Sequence, residues 1–210
     1  MEVVRMFLLG MAAFFVSQVC IRIPVLSQVL PEFSWFQILQ FSPWGYGLFL
    51  GGTAALFEEG ARWIAMRIYV HGKRSSGEKE LQLGVAFGLG HGGIEAVLFY
   101  FIPAVAALAQ ICAGKAVAGV TLAGLGIGLL ERVFAMSFHV GASLLIWYGV
   151  RREGTFPWFC LAVLLHTVTD AALVILPQAF GVGAFGLELW CAILGCFTLG
   201  GGIWIWKRKK

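Results

Sequence analysis

Ionisable residues stand where a lipid-facing helix would carry leucine. "GGTAALFEEGARWIAMRIYV" holds Glu58, Glu59 and Arg62, "FGLGHGGIEA" holds His91 and Glu95, "LLERVFAMSFHVGAS" holds Glu131, Arg132 and His139, and "LLHTVTDAAL" holds His166 and Asp170. Each such group costs ~2.5–3.5 kcal/mol near mid-bilayer, so these residues are expected to turn away from lipid and toward one another. The spacing supports this. Glu58 and Arg62, His91 and Glu95, and His166 and Asp170 are each four apart, and Glu131, Ala135 and His139 descend in steps of four. Residues at i and i+4 share a helix face, so each of four helices offers one polar stripe. Three neutral imidazoles and a carboxylate could bind zinc or polarise water. Alternatively, a glutamate could act as a general base without metal, while an imidazole stabilises an oxyanion. Arg62 beside Glu58 and Glu59 would keep one carboxylate charged in a partly dry site.

The elements that must carry these stripes follow from composition. The chain of 210 residues is 60% hydrophobic and 12% charged. Soluble domains average about a quarter charged residues, and a bilayer crossing needs ~20 apolar residues of helix. The expected fold is all-α: a polytopic membrane helical bundle of about six transmembrane helices. The spans are placed at roughly 3–23, 45–70, 81–103, 121–150, 158–176 and 184–206, with the polar site formed by helices two to five and no such central group on helices one and six. A piece near 104–120 is open between a re-entrant segment and a seventh span. Gly84, Gly88 and Gly92, like Gly124 and Gly128, form small-residue faces for close helix packing. The first apolar run lacks a cleavage signature and reads as a retained helix. The five cysteines show no metal or disulfide spacing and read as small packing residues.

Depth brings the stripes together. Counted from the cytoplasmic helix ends, Glu58, His91, His139 and His166 lie roughly 12–18 Å in, at ~1.5 Å per residue. Glu131 lies farther out, as a supporting residue or an ion-pair partner of Arg132 or Arg62. Orientation comes from the excess of Lys and Arg in cytoplasmic loops. With both termini cytoplasmic, that side collects Arg5, Lys73, Arg74, Lys79, Arg151, Arg152, Lys207, Arg208, Lys209 and Lys210, leaving Arg22 and Lys115 outside. His71, in the basic loop, reads as solvated. The outer aromatic stretch "PVLSQVLPEFSWFQILQFSPW" reads as an interfacial cover, and "KRKK" as a topology anchor.

These motifs resemble those of the glutamic-type intramembrane proteases. "FEEGAR" looks like their E-E-x-x-R motif. "FGLGH" (Phe87 to His91) and "HTVTD" (His166 to Asp170) are similar to the F-x-x-x-H and H-x-x-x-N/D motifs of type II CAAX prenyl proteases. The finer pattern, "GHGGIEA", "ERVFAMSFHVGAS" and "LLHTVTDAAL", resembles the YhfC family, a bacterial branch of the superfamily that also includes PrsW-type proteases. The resemblance covers about 130 residues over helices two to five. It implies a single integral-membrane protease-like domain over residues 1–210, in the bacterial cytoplasmic membrane. It implies an endopeptidase that hydrolyses peptide bonds of membrane-associated substrates with a glutamate-activated water. In this reading Glu58 is the base, His91 holds the water, and His166 and Asp170 sit near the scissile carbonyl. Glu59 backs the catalytic set, Arg62, Glu95 and Glu131 support it, and His139 fills the third-motif histidine. The resemblance favours a mechanism with no cofactor, with zinc on His91, His139, His166 and Glu58 as the other possibility. Asp170 stands where asparagine is common, which keeps a metal role open for it. The peptide would enter from the cytoplasmic side or laterally. Expected partners are a membrane-protein or peptide substrate and the bilayer, with no nucleic acid. An ion or metal transporter and a non-catalytic scaffold with a structural polar core are the competing functions.

Overall fold

A computed structural model describes residues 1–70, 77–152 and 154–208. The basic-loop residues His71, Lys73 and Arg74, and the terminal Lys209 and Lys210, lie outside the described residues. Helix α1 (Glu2–Phe14) continues through π-helical stretches at Phe15–Arg22 and Val25–Val29 and a 3₁₀ turn at Leu30–Glu32. Then come α2 (Ser34–Leu39), α3 (Pro43–Val70) and α4 (Gly77–Ala96), the last extended by a π-helical stretch at Val97–Phe101 into α5 (Ile102–Cys112). The chain ends with α6 (Leu122–Arg151), α7 (Thr155–Phe180) and α8 (Ala184–Arg208). The protein is an all-α bundle, and no strand occurs among the described residues.

Five continuous stretches are long and apolar enough to cross a membrane: Glu2–Glu32, Lys79–Cys112, Leu122–Arg151, Thr155–Phe180 and Ala184–Arg208. Helix α3, with 28 residues, matches them in length, but Glu58, Glu59, Arg62 and Arg67 dilute its apolar character. The six expected spans therefore appear, with two corrections to their ends. The first helix runs on to Glu32, so Arg22 lies within it rather than in an outer loop. The third runs on to Cys112, so residues 104–112 extend that span instead of forming a seventh crossing or a re-entrant piece. Its 34 residues from Lys79 span roughly 50 Å, well past the ~30 Å hydrocarbon core.

Proline explains why both helices were read as ending early. A proline lacks the N–H of its turn and presses on the carbonyl four residues back. Each π-helical stretch here ends two residues before one: Arg22 before Pro24, Val29 before Pro31 and Phe101 before Pro103. Widening the turn lets the helix pass the proline rather than stop. True ends carry ordinary signals. The Thr121 hydroxyl accepts from the Gly124 N–H at 2.9 Å to cap α6, and Gly154 (φ +94) and Gly181 (φ +65) bracket α7 in left-handed conformation.

Helix α6 is the central post. Every residue from Phe138 to Val150 is buried, and the helix packs on α3, α4, α7 and α8; α3 pairs with α7 and α1 with α4. The expected glycine face sets the α4–α6 approach. A Cβ on Gly88 would sit 2.5 Å from the Val140 Cα, and Gly84 and Gly92 press on Leu144 and His139. The half of the bundle nearer the termini is filled by Met6, Met66, Phe87, Leu144, Trp147, Tyr148 and Trp206, with the Trp206 indole donating to the Leu144 carbonyl at 3.1 Å. Outward faces are apolar, as with Leu56, Ile64 and Ile68 on α3 and Leu164 and Val168 on α7. Cys20, Cys112, Cys160 and Cys196 are exposed on this outer surface and only Cys191 is buried, so the packing role expected of the cysteines holds for Cys191.

The tight α4–α6 contact makes a measurable difference between two glycines. Gly88→Leu should lower stability by at least ~1–3 kcal/mol through overpacking, read as the thermal unfolding midpoint in detergent. Gly60→Ala, where no atom lies within 4 Å of the added Cβ, should be neutral or slightly stabilising.

Candidate active site

The polar stripes of α3, α4, α6 and α7 meet. Helix α3 directs Glu58, Glu59 and Arg62 inward; all three are buried, Glu59 and Arg62 completely. Arg62 lies 3.4 Å from Glu59, and its two terminal nitrogens donate to the His139 carbonyl at 3.1 Å and to His139 Nδ1 at 3.2 Å. A guanidinium can only donate, so Nδ1 accepts and the neutral ring carries its proton on Nε2. That Nε2 lies 2.6 Å from Glu95 Oε2, where a donor is required. Glu95 Oε1 in turn accepts from Arg132 at 2.8 Å, and Arg132 also pairs with Glu131. On the other side of Glu59, His166 Nδ1 lies 2.8 Å from Oε1. The Arg62-paired carboxylate accepts this bond, which leaves His166 Nε2 as a lone pair.

Glu58 is the hub facing the interior space. Its Oε2 lies 3.0 Å from His91 Nε2 and 3.8 Å from His166 Nε2. His166 Nε2 is 3.5 Å from Asp170 Oδ2, and Asp170 is 35% exposed. The three imidazoles form one group, with ring centroids 5.2 Å apart for His91 and His139 and 5.9 Å for His139 and His166. Phe14 and Phe87 pack on His91, and Phe138 on the other two. The expected common level of Glu58, His91, His139 and His166 is thus present in the structure. Glu131 pairs with Arg132, one of the two partners expected for it. Ser143, considered as a partner of His139, has no hydrogen bond to it.

A cavity of about 450 Å³ begins at Glu58, His139 and His166. It runs between Arg22, Leu26, Leu50, Asp170, Leu173, Val174 and Cys191, all toward the helix ends remote from the termini. Glu95, Glu131 and Arg132 also line it, whereas His91, Glu59 and Arg62 stand behind the wall. This corrects the expected entry from the side of the termini, because the packed core around Leu144 and Trp147 closes that end. Helix one makes a second correction. It was expected to contribute no central group, yet Gln18, buried at 3% exposure, donates to Glu58 Oε1 at 2.9 Å. An uncharged glutamine in an apolar run carries little signal in a sequence; its place four residues before Arg22 and six before Pro24 was the clue available.

Whether these residues suit a metal ion can be judged from their chemistry. Glu58, His91 and His139 each offer a donor atom within 4.8 Å of the others. His139 is the weakest ligand of the cluster, because Arg62 occupies Nδ1 and Glu95 faces Nε2. His166 is better prepared: its Nδ1 is bound to a carboxylate and its Nε2 is open, the arrangement that orients imidazole ligands of metals. The site also holds five carboxylates (Glu58, Glu59, Glu95, Glu131, Asp170) against three guanidiniums (Arg22, Arg62, Arg132), an excess that a dication would offset. The donor set fits a divalent ion.

Comparison with known proteins agrees with this site. Residues 3–118 and 102–185 match the family described as YhfC intramembrane metalloprotease. The chain belongs to the YhfC family. It is 25% identical to "Uncharacterized membrane protein YhfC" of Bacillus subtilis (strain 168) over 232 aligned positions, covering 98% of this chain and 85% of that one. No solved structure matches it. With its apolar helices, this YhfC-family chain is an integral membrane protein.

The Glu59–Arg62 pair generates a stability prediction. Arg62→Met strands a fully buried carboxylate and should destabilise by ~3–5 kcal/mol. Adding Glu59→Gln, which removes the charge and keeps an acceptor for His166, should restore most of that loss. Unfolding midpoints of the single and double variants in detergent check this; an unaffected single variant would contradict it.

Proposed function

We propose that this protein is an intramembrane endopeptidase that cleaves membrane-associated polypeptides in the cavity beside Glu58. The observation that carries the reading is Glu58 Oε2, one carboxylate oxygen within 3.0 Å of His91 and 3.8 Å of His166 at the closed end of that cavity. Glu58 takes the proton of the attacking water at Oε2. His91 Nε2 holds that oxygen in place and shares the proton. His166, fixed through Nδ1 by Glu59, turns Nε2 toward Asp170, and this pair returns a proton to the leaving amine. Arg62 keeps Glu59 ionised and His139 oriented; Arg132, Glu95 and Glu131 brace His139 from the other side. The cavity ends at a packed wall, as suits a reaction chamber rather than a through-path for ions. Phe14, Phe99, Phe134, Phe138 and Leu173 give it apolar sides suited to hydrophobic substrate residues.

The family description turns the preference from a cofactor-free mechanism to a metal-assisted one. Glu58, His91 and His166 are the residues that would hold the ion, and zinc suits a set of one carboxylate and two imidazoles. When bound, such an ion acidifies water and polarises a carbonyl. The described cations Arg5, Lys79, Arg151, Arg152, Lys207 and Arg208 gather at the end of the bundle that holds the termini. With that end cytoplasmic, the cavity addresses substrates from the outer half of the membrane.

Membrane proteomes of cells carrying the wild type or Glu58→Gln test the reading. New termini within apolar segments should appear with the wild type and fall at least ~100-fold with Glu58→Gln, while the variant accumulates as a folded protein. Identical sets of termini would refute an endopeptidase. Elemental analysis of the purified chain should find one zinc, and chelation should remove it together with activity; a zinc-free, chelator-resistant enzyme would refute the metal.

A further inference from the structure

Gln18 belongs to none of the motifs that point to the site, yet its side chain is buried and occupies one oxygen of Glu58. Its amide cannot turn over freely. Arg22 NH1 lies 3.1 Å from Gln18 Oε1, and because a guanidinium only donates, the oxygen must face Arg22 and the NH₂ must face Glu58. Arg22 is itself anchored to α3, with NH2 donating to the Leu50 carbonyl at 2.7 Å and Nε donating to Thr53 Oγ1 at 3.2 Å. Both residues lie in the π-helical stretch Phe15–Arg22, ahead of Pro24, and both line the cavity. π-Helical turns within α-helices recur at functional sites because they redirect side chains.

We propose that Gln18 is a positioning residue for Glu58, and that Arg22 sets the direction in which its amide points. This rests on the reading of Glu58 as the reacting carboxylate. By holding Oε1, Gln18 leaves Oε2 as the oxygen turned toward His91 and His166. A carboxylate without that bond can rotate and present either oxygen, so the reacting geometry is populated only part of the time. The chain Leu50/Thr53–Arg22–Gln18–Glu58 begins and ends on α3 but passes through helix one, which thereby becomes part of the site.

Two measurements test this, and one needs no activity. In NMR spectra of the glutamine-labelled protein in detergent, the Gln18 side-chain amide is the signal lost in Gln18→Met. It should be protected from exchange with water and should move in both Glu58→Gln and Arg22→Met. A signal that exchanges like a free amide, or ignores either substitution, overturns the proposal whether or not the protein proves to be a peptidase. The second measurement follows Glu58-dependent cleavage of a membrane protein found by its new terminus. Gln18→Met keeps the volume but loses the donor, and should lower kcat about 10–100-fold with KM within twofold and an unchanged unfolding midpoint. Gln18→Glu should do no better, because it sets a second carboxylate against Glu58. The Gln18→Met/Arg22→Met pair should be no slower than Gln18→Met alone, since the two act as one unit. Wild-type kcat in Gln18→Met, or additive losses in the pair, would overturn the proposal. Absence of any Glu58-dependent cleavage would instead refute the peptidase reading and leave the NMR result to decide the contact.

Discussion

The rest of the site depends on one buried ion pair. Glu59 and Arg62 have no exposed surface at all. In a bilayer there is no water to take either charge, so each must find partners inside the protein or cost several kcal/mol. Glu59 finds His166 on α7 and Arg62 finds both the carbonyl and the ring of His139 on α6. Two charges one helical turn apart on α3 thus dictate where two other helices stand and how their imidazoles are turned. The reacting groups lie next to this pair, on its cavity side, and inherit their positions from it.

Close packing makes that pairing possible. Imidazoles reach only a few ångströms from their backbones, so α4 must approach α6 tightly, and Gly84, Gly88 and Gly92 allow it. Below the histidines the bundle is filled with large side chains; beyond them it opens. This asymmetry gives the site one closed end and one direction of approach. The same proline-linked π-helical turns that keep helices one and three continuous also bring Gln18 and Arg22 to the cavity wall.

Much of this was legible in the chain. Charged residues in apolar runs betray themselves, because lipid tolerates them so poorly, and their four-residue spacing assigns a face. Hence Glu58, His91, His139 and His166 could be placed at one level before any coordinates. Three things were hidden. Gln18 carries no charge and so raised no alarm in its helix. The direction of the cavity depends on which end of the bundle is filled, and Leu144 or Trp147 reads alike as core or lipid face. Helix ends beyond Arg22 and Phe101 were obscured by prolines, which usually stop a helix but here only widen it. The split of duties among the histidines was hidden too, since their ring nitrogens are assigned by neighbours on other helices.

That split offers the most direct test of the central pair. Nitrogen-15 NMR of histidine-labelled protein in bilayers distinguishes protonated from unprotonated ring nitrogens. With Arg62 donating to His139 and Glu59 accepting from His166, His139 should carry its proton on Nε2 and His166 on Nδ1, and both assignments should become mixed in Arg62→Lys. Tautomers already mixed in the wild type, or unmoved by that substitution, would show that the Glu59–Arg62 pair does not organise the site.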